Sequence, residues 1–177
     1  MIETERLILR PWQEADKPGF DAIINTPAMM AHFGGVTARS RIDALLDAEM
    51  ARQERDGHCM WAVEIKQDRT LAGVCGVRIG GHPGTPVPNE LEIGWRIAER
   101  YWGQGVAREA ASASMAWGWA NTDRARICAW TTAANRPSWG LMLRLGMVRR
   151  NDLDFHHPLY TADNHFGAMI VYAIDRP

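Results

Sequence analysis

Cysteine is too scarce and too scattered here to build a site. Cys59, Cys75 and Cys128 are odd in number and form no C-x-x-C pair. Neither a zinc site nor a disulfide framework is read from them, and buried, reduced thiols are expected. Net charge is nearly absent, since 20 basic side chains against 21 acidic ones leave −1. That balance excludes recruitment to nucleic acid or an anionic membrane by bulk charge. No apolar run is long enough to span a bilayer. Repeats and low-complexity tracts are missing too, which excludes solenoids and compositional linkers. The opening Met1-Ile2-Glu3-Thr4-Glu5-Arg6 lacks the apolar core of a signal peptide, so the cytoplasm is the expected address. What is present is ordinary for a globular protein: 46% hydrophobic residues in a 177-residue chain, enough for one domain over residues 1–177 with its own core.

Along the chain, Arg6–Arg10 reads as a strand closed by Pro11 and Trp12. Residues 14–25 read as a helix with Phe20, Ile23 and Ile24 on one face, stopped by Pro27. A short turn at 29–33 leads to Gly34-Gly35. Residues 38–55 read as a second helix, with Ile42, Leu45, Leu46 and Met50 at helical spacing and Gly57 as its stop. Strands follow at 60–65 and 71–79 around the polar turn 67–70, and residues 80–89, with three glycines and three prolines, read as a loop. Then come a strand at 90–97, a helix at 106–120, a strand at 126–131, a short helix at 135–145, and strands at 147–150 and 168–174. The order β-α-α-β-β-β-α-β-α-β-β predicts a mixed sheet with helices against it, an α+β fold.

The most informative stretch is Glu92-Ile93-Gly94-Trp95-Arg96-Ile97 followed by Trp102-Gly103-Gln104-Gly105-Val106-Ala107. A strand leads into a glycine-rich turn that opens a helix. Such a turn lets main-chain N–H groups approach a ligand without a Cβ between them. The helix start adds unpaired N–H groups and partial positive charge, which together suit phosphate. A P-loop is excluded because no Gly-Lys-Ser/Thr follows. A dinucleotide fingerprint is disfavoured because its third glycine position is Arg108. Taken alone, the turn could also be a plain glycine turn without a ligand.

Four motifs in order resemble the GNAT superfamily of acyl-CoA-dependent N-acyltransferases, and within it the RimJ/RimL-like branch. Thr4–Trp12 is similar to that branch's opening strand, and Glu92-Ile93-Gly94-Trp95 to its central strand. Trp102–Ala107 is similar to the pyrophosphate loop [RQ]-x-x-G-x-[GA], with Trp102 in place of the first residue. Asn135-Arg136-Pro137-Ser138 and Leu145-Gly146-Met147 are similar to its N-x-x-S…L-G-[FM] segment. The resemblance implies a central, twisted, mostly antiparallel sheet of about seven strands, splayed in the middle and flanked by about four helices. It implies acetyl-CoA as co-substrate, a primary amine of a protein N-terminus or small molecule as acceptor, and direct transfer in a ternary complex. A non-catalytic acyl-CoA sensor on the same fold is the rival. The coenzyme is then expected on Trp102, Gly103, Gln104, Gly105, Val106 and Ala107, on the main chain of Trp95, Arg96 and Ile97, and on Asn135 and Ser138.

The chemistry needs a base for the ammonium and help for the departing thiolate. Glu92 is the candidate base, acting through water. Period-two alternation puts it on one face with Gly94 and Arg96, and its plain alternative is a salt bridge, for example to Arg96. Gly94 suits a bulge or, alternatively, close packing. Many superfamily members carry Tyr seven residues after the Asn, where this chain has Met142. Ser138 is therefore the candidate for stabilising the sulfur, with helix capping as its alternative; Asn135 has the same alternative. The tail Asp154-Phe155-His156-His157-Pro158 is similar to a D-F-D-H-P segment of the branch. His157, Tyr160 or Asp154 could line the acceptor pocket, and the histidine pair lacks a third ligand for metal, so none is expected. Of eight tryptophans, Trp61 and Trp130 are read as core, Trp12 and Trp139 as candidates for the cleft. Asp43, Asp47 and Glu49 are read as a solvated helix face, or as an attraction for a cationic acceptor. The final strands could pair across a homodimer.

Overall fold

Residues 60–65 and 71–79, rich in β-branched and aromatic side chains, form the central hairpin of the computed structural model, which describes residues 1–177. Met60–Ile65 (β3) and Leu71–Ile79 (β4) pair antiparallel, with a register shift between Val63 and Glu64. Before them come β1 (Ile2–Glu3), β2 (Leu7–Arg10), α1 (Lys17–Ile24) and α2 (Arg39–Asp56). After them come β5 (Leu91–Ile97), α3 (Val106–Asn121), β6 (Arg126–Thr132), α4 (Arg136–Arg144), β7 (Val148–Arg149), β8 (Phe155–His156) and β9 (Ala168–Asp175). The strands run in the order β1-β2-β3-β4-β5-β6-β9-β7, with β8 also beside β9. Every pair is antiparallel except β5–β6. The sheet has nine strands rather than about seven, and the two extra pieces, β1 and β8, are two-residue strands too short to show a period.

The parallel pair is where the sheet opens. β5 and β6 are joined only at Leu91 opposite Ile127 and Glu92 opposite Cys128. From Ile93 onward β5 keeps its partner β4 but has none in β6. This is the expected splay.

Helix α3 covers one face. Gly118 lets it close on the strands, since a Cβ there would stand 3.2 Å from Leu91 Cδ2 and 3.5 Å from Val77 Cγ2. Ser114 in the same helix meets the Cys75 thiol at 3.7 Å. The other face carries α1 and α2. Leu7, Leu9, Ile24, Ile42, Leu46, Val63, Val77 and Leu91 are fully buried between these layers. At about 25 cal/mol per Å² of apolar area, each such side chain contributes about 1.5–3 kcal/mol. All three cysteines are buried and free, and burial pushes the Cys75 and Cys128 thiols up to about 12.

Two helical expectations change. Leu45 is exposed, and its place in the stripe of α2 is taken by Glu49, which is buried below Ile42 and Leu46. Trp12 belongs to the core rather than to a cleft: it packs edge-on against Phe20 at 4.9 Å and its indole N–H donates to the Met60 carbonyl at 2.7 Å. Trp61 is core as expected, against Trp117 at 5.0 Å, while Trp130 is half-buried against Phe155.

Candidate active site

The glycine turn before α3 has the form an anion needs. Gly103 and Gly105 adopt φ of +73° and +79°, the left-handed region that glycine enters without a Cβ penalty. Gly105 is the N-cap of α3 and offers no side chain to cap it. The N–H groups of Gly105, Val106, Ala107 and Arg108 therefore have no acceptor within the chain, and Glu109 is the first to bond back, to the Gly105 carbonyl at 3.0 Å. A Cβ built on Gly103 would meet nothing within 4 Å, and one on Gly105 only Arg6 Nη2 at 3.5 Å. The cradle is open. Its walls are tied to the residue just before β2: Arg6 donates to the Gln104 carbonyl at 3.1 Å and pairs with Glu109 at 2.7 Å. Burial opposes the Glu109 charge, but hydrogen bonds from Thr4 and from the Arg6 amide and guanidinium outweigh it and hold the carboxyl below its usual range. Gln104 spends its side chain on the Arg100 carbonyl, and Trp102, half-exposed, donates its indole N–H to the Ile97 carbonyl at 2.6 Å. An exposed Arg108 and Arg144 then border a groove of about 290 Å³ between α3 and α4.

The fork supplies an unpaired strand edge, with one change from the expected residues. Gly80 N–H bonds the Glu90 carbonyl and Ala98 N–H the Ala72 carbonyl. Antiparallel alternation then turns the main chain of Glu92, Gly94 and Arg96 toward β4. The amides left facing the opening are those of Trp95 and Ile97, since the parallel pairing of Glu92 with Cys128 uses the Ile93 N–H and leaves only the Ile93 carbonyl free. Arg96 drops out of the main-chain set because its N–H and C=O belong to the β4 ladder, and the Ile97 carbonyl is taken by Trp102. No bulge interrupts this register at Gly94, which stands opposite Gly76. Gly94 instead makes room for Met60, whose Cε would lie 2.4 Å from a Cβ there.

Across the opening, Thr131 and Thr132 end β6, three and four residues beyond the last β5 contact, about 10–13 Å along the strand. The Thr132 hydroxyl is buried with no partner. Asn135 caps α4: its Oδ1 accepts from the Ser138 amide at 3.4 Å and its Nδ2 donates to Thr131 Oγ1 at 2.9 Å. The capping alternative therefore describes Asn135. Ser138 is half-buried and its hydroxyl has no partner in the chain.

The face of β5 opposite α3 carries a charged network. Glu92 is buried and pairs with Arg78, its cross-strand partner, at 3.0 and 3.2 Å. Arg96, the partner suggested from sequence, takes no part. Arg78 also reaches Glu49 at 2.5 Å, and Glu49 accepts from Arg52 at 2.9 Å and from the Met60 amide at 3.0 Å. Glu49 is thus neither solvated nor available to a cation. Gly80 lies against Glu92, where a Cβ would meet its Oε2 at 2.3 Å. Arg96 stacks its guanidinium 4.0 Å above the Phe33 ring. Sequence alone does not reveal Arg78, Phe33 and Thr132, and it presents Glu49 as a solvated residue or a draw for a cation. Register would have found Arg78, and the 42–46–49 spacing would have found Glu49.

Two loops close over this face. His82 Nε2 and His157 Nε2 stand 3.1 Å apart, joining the 80–89 loop to the tail. Burial, then His82, Arg78 and His156, push His157 down to about 4, so it is neutral at pH 7. Its Nδ1 accepts from the Leu159 amide at 3.3 Å, which leaves Nε2–H to donate to His82. Tyr160 packs on His157 at 5.8 Å. Asp154, by contrast, pairs with Arg149 and accepts from the Val171 amide, so it belongs to the sheet edge. His156 turns away to the Thr161 carbonyl. No three His, Cys, Asp or Glu side chains converge as a metal set.

Known proteins share this fold. Residues 6–148 match the model of the acetyltransferase (GNAT) domain family. An uncharacterized N-acetyltransferase of Bacillus subtilis, YoaA, is 26% identical over 156 residues, covering 86% of this chain and 85% of that protein. The crystal structure of an acetyltransferase from Agrobacterium tumefaciens superposes with a TM-score of 0.78 at 24% identity, covering 98% of this chain and 92% of that one. RimL, a ribosomal L7/L12 α-N-protein acetyltransferase solved with coenzyme A, gives a TM-score of 0.74 at 18% identity over 97% and 95% of the two chains. With the family's domain matched from Arg6 to Val148, and the open glycine turn and forked sheet in place, the chain belongs to the GNAT acetyltransferases and is an acetyl-CoA-dependent acyltransferase.

Proposed function

We propose that the protein transfers an acetyl group from acetyl-CoA directly to a primary amine, with both substrates bound together. The observation that carries this reading is the row of four unpartnered N–H groups from Gly105 to Arg108 at a positive helix end. A diphosphate matches it in size and charge. The Trp95 and Ile97 amides would take the pantetheine arm as a further strand, and the orphaned Thr132 hydroxyl lies at the mouth it enters.

Acetyl-CoA supplies an activated thioester. Glu92 supplies the proton acceptor for the amine through a water molecule, because each oxygen that Arg78 engages keeps further acceptor capacity. Its pairing with Arg78 holds the carboxylate in one orientation, against the side of Gly80. The Ser138 hydroxyl, free of partners at the first turn of α4, stabilises the departing sulfur by hydrogen bonding. RimL acts on the α-amine of a ribosomal protein, so protein N-termini and small amines are both acceptors of the right chemistry.

The test is an acetyl-CoA-dependent thiol-release screen over amines and peptides. Release of free CoA thiol that depends on an amine is expected. Tight binding of acetyl-CoA with no release in the presence of any amine would identify a sensor domain instead.

A further inference from the structure

The acceptor face leaves one cation unanswered. Three guanidiniums, of Arg52, Arg78 and Arg96, stand around two carboxylates, of Glu49 and Glu92. Arg52 and Arg78 use both carboxylates. The Arg96 side chain makes no hydrogen bond or ion pair with the chain and is held by stacking on Phe33. Burial, then the nearness of Arg78, pushes its guanidinium down to about 10 against the pull of Tyr160, Glu92 and Glu49, none of which bonds it, so it remains a cation at neutral pH. Five N–H donors in a planar fork thus stand half out of water with no acceptor. An ionic group in that state is unfavourable unless something completes it.

We infer that Arg96 is the anchor for an anionic group on the acceptor, and that the acceptor is therefore a small amine that also carries a carboxylate. This inference rests on the acetyl-transfer reading above and names the substrate class of that same site. Arg96 and Glu92 project from one face of β5, with Gly94 between them contributing no side chain. Their Cα atoms are about 13 Å apart along the strand, which spans an amine, its short carbon skeleton and a water on the Glu92 side. The guanidinium fork matches a carboxylate with two parallel hydrogen bonds, and the Phe33 ring fixes the plane in which it is presented. The three acidic residues of α2 that sequence offered as a draw for a cation are committed: Asp43 to Arg39, Asp47 to Lys17, Glu49 to Arg52 and Arg78. A polyamine entering this face would meet the uncompensated Arg96 and no free carboxylate.

The experiment compares thiol release from acetyl-CoA for the common L-amino acids, their primary amides, tyramine and spermidine. At least one carboxylate-bearing amine is expected to show a KM about tenfold or more below that of its amide, one charge-assisted contact being of that order. In Arg96→Gln the acid-to-amide ratio should fall to about unity through a rise in KM for the acid, and Arg96→Lys, which keeps charge without the fork, should restore part of it. Acids no better than their amides, turnover of spermidine or tyramine but of no acid, or a ratio that survives Arg96→Gln would each overturn the inference while leaving acetyl transfer standing. No turnover of any acid by a protein that still binds CoA overturns it too. No CoA binding at all would remove the reading on which it rests. The wild-type comparison decides the matter even where a variant fails to fold.

Discussion

Replacing Glu92 by Gln separates catalysis from packing, because the structure predicts the size of each effect. The substitution removes one of two carboxylates on Arg78 but leaves the bond to Glu49 at 2.5 Å. The buried guanidinium is weakened rather than orphaned, so the stability loss should be about 2 kcal/mol, below the value for an unpaired buried charge. For a chain of this size that corresponds to a Tm lower by about 4–8 °C. The catalytic effect is of another order. Loss of a positioned general base lowers turnover by about 10²–10⁴-fold. CoA affinity should stay within about twofold, since Glu92 lies on the face away from the free main-chain edge. Glu49→Gln is the control, because it loosens the same network without removing the base. The assay is kcat from thiol release at saturating acetyl-CoA, beside Tm and coenzyme titration for both variants. Equal losses of kcat in the two variants, or turnover unchanged in Glu92→Gln, would refute the assignment of the base.

Gly105→Val should weaken CoA binding by more than about tenfold, since the branched side chain stands over the free amides while φ of +79° strains it by about 1–2 kcal/mol; calorimetry with CoA reads the loss, and unchanged affinity would remove the cradle from the site. The burial of His157, with His82 beside it, should make stability pH-dependent. A histidine held at about 4 instead of its usual 6.5 contributes stability that is complete above about pH 6.5 and is lost as pH falls toward 4. After discounting for solvent, a loss of about 1 kcal/mol, or 2–4 °C in Tm, is expected across that window. Between pH 6.5 and 5, above most carboxylate titrations, His157→Gln should flatten the slope; an unchanged slope would contradict the neutral contact.

Local rules made most of the fold legible. The bounds of β3 and β4 follow from β-rich runs around a polar turn, α2 ends on the left-handed Gly57, and α4 starts on the Asn135 cap. What escaped depended on partners far along the chain. A two-residue strand such as β8 exists only because β9 pairs with it. The burial of Glu49 needs Arg78 from β4 opposite it, and the stacking of Arg96 needs Phe33 from a loop. At the site, the open cradle at Gly105 was legible because backbone geometry and residue type coincide there. The partner of Glu92 was not, since strand alternation gives a face but no register across strands. Once β4 is paired to β5, Arg78 stands opposite Glu92 and Arg96 is left free.

The proposed reaction depends on main-chain amides at the start of α3 holding the diphosphate of the coenzyme. An NMR titration of the 19.9 kDa protein with CoA, read at those amides, tests this directly. The signals of Gly105, Val106, Ala107 and Arg108 should make the largest shifts of the spectrum and saturate together with one CoA per chain. Shifts confined to other parts of the chain, or no change at those four amides with CoA at millimolar concentration, would contradict it.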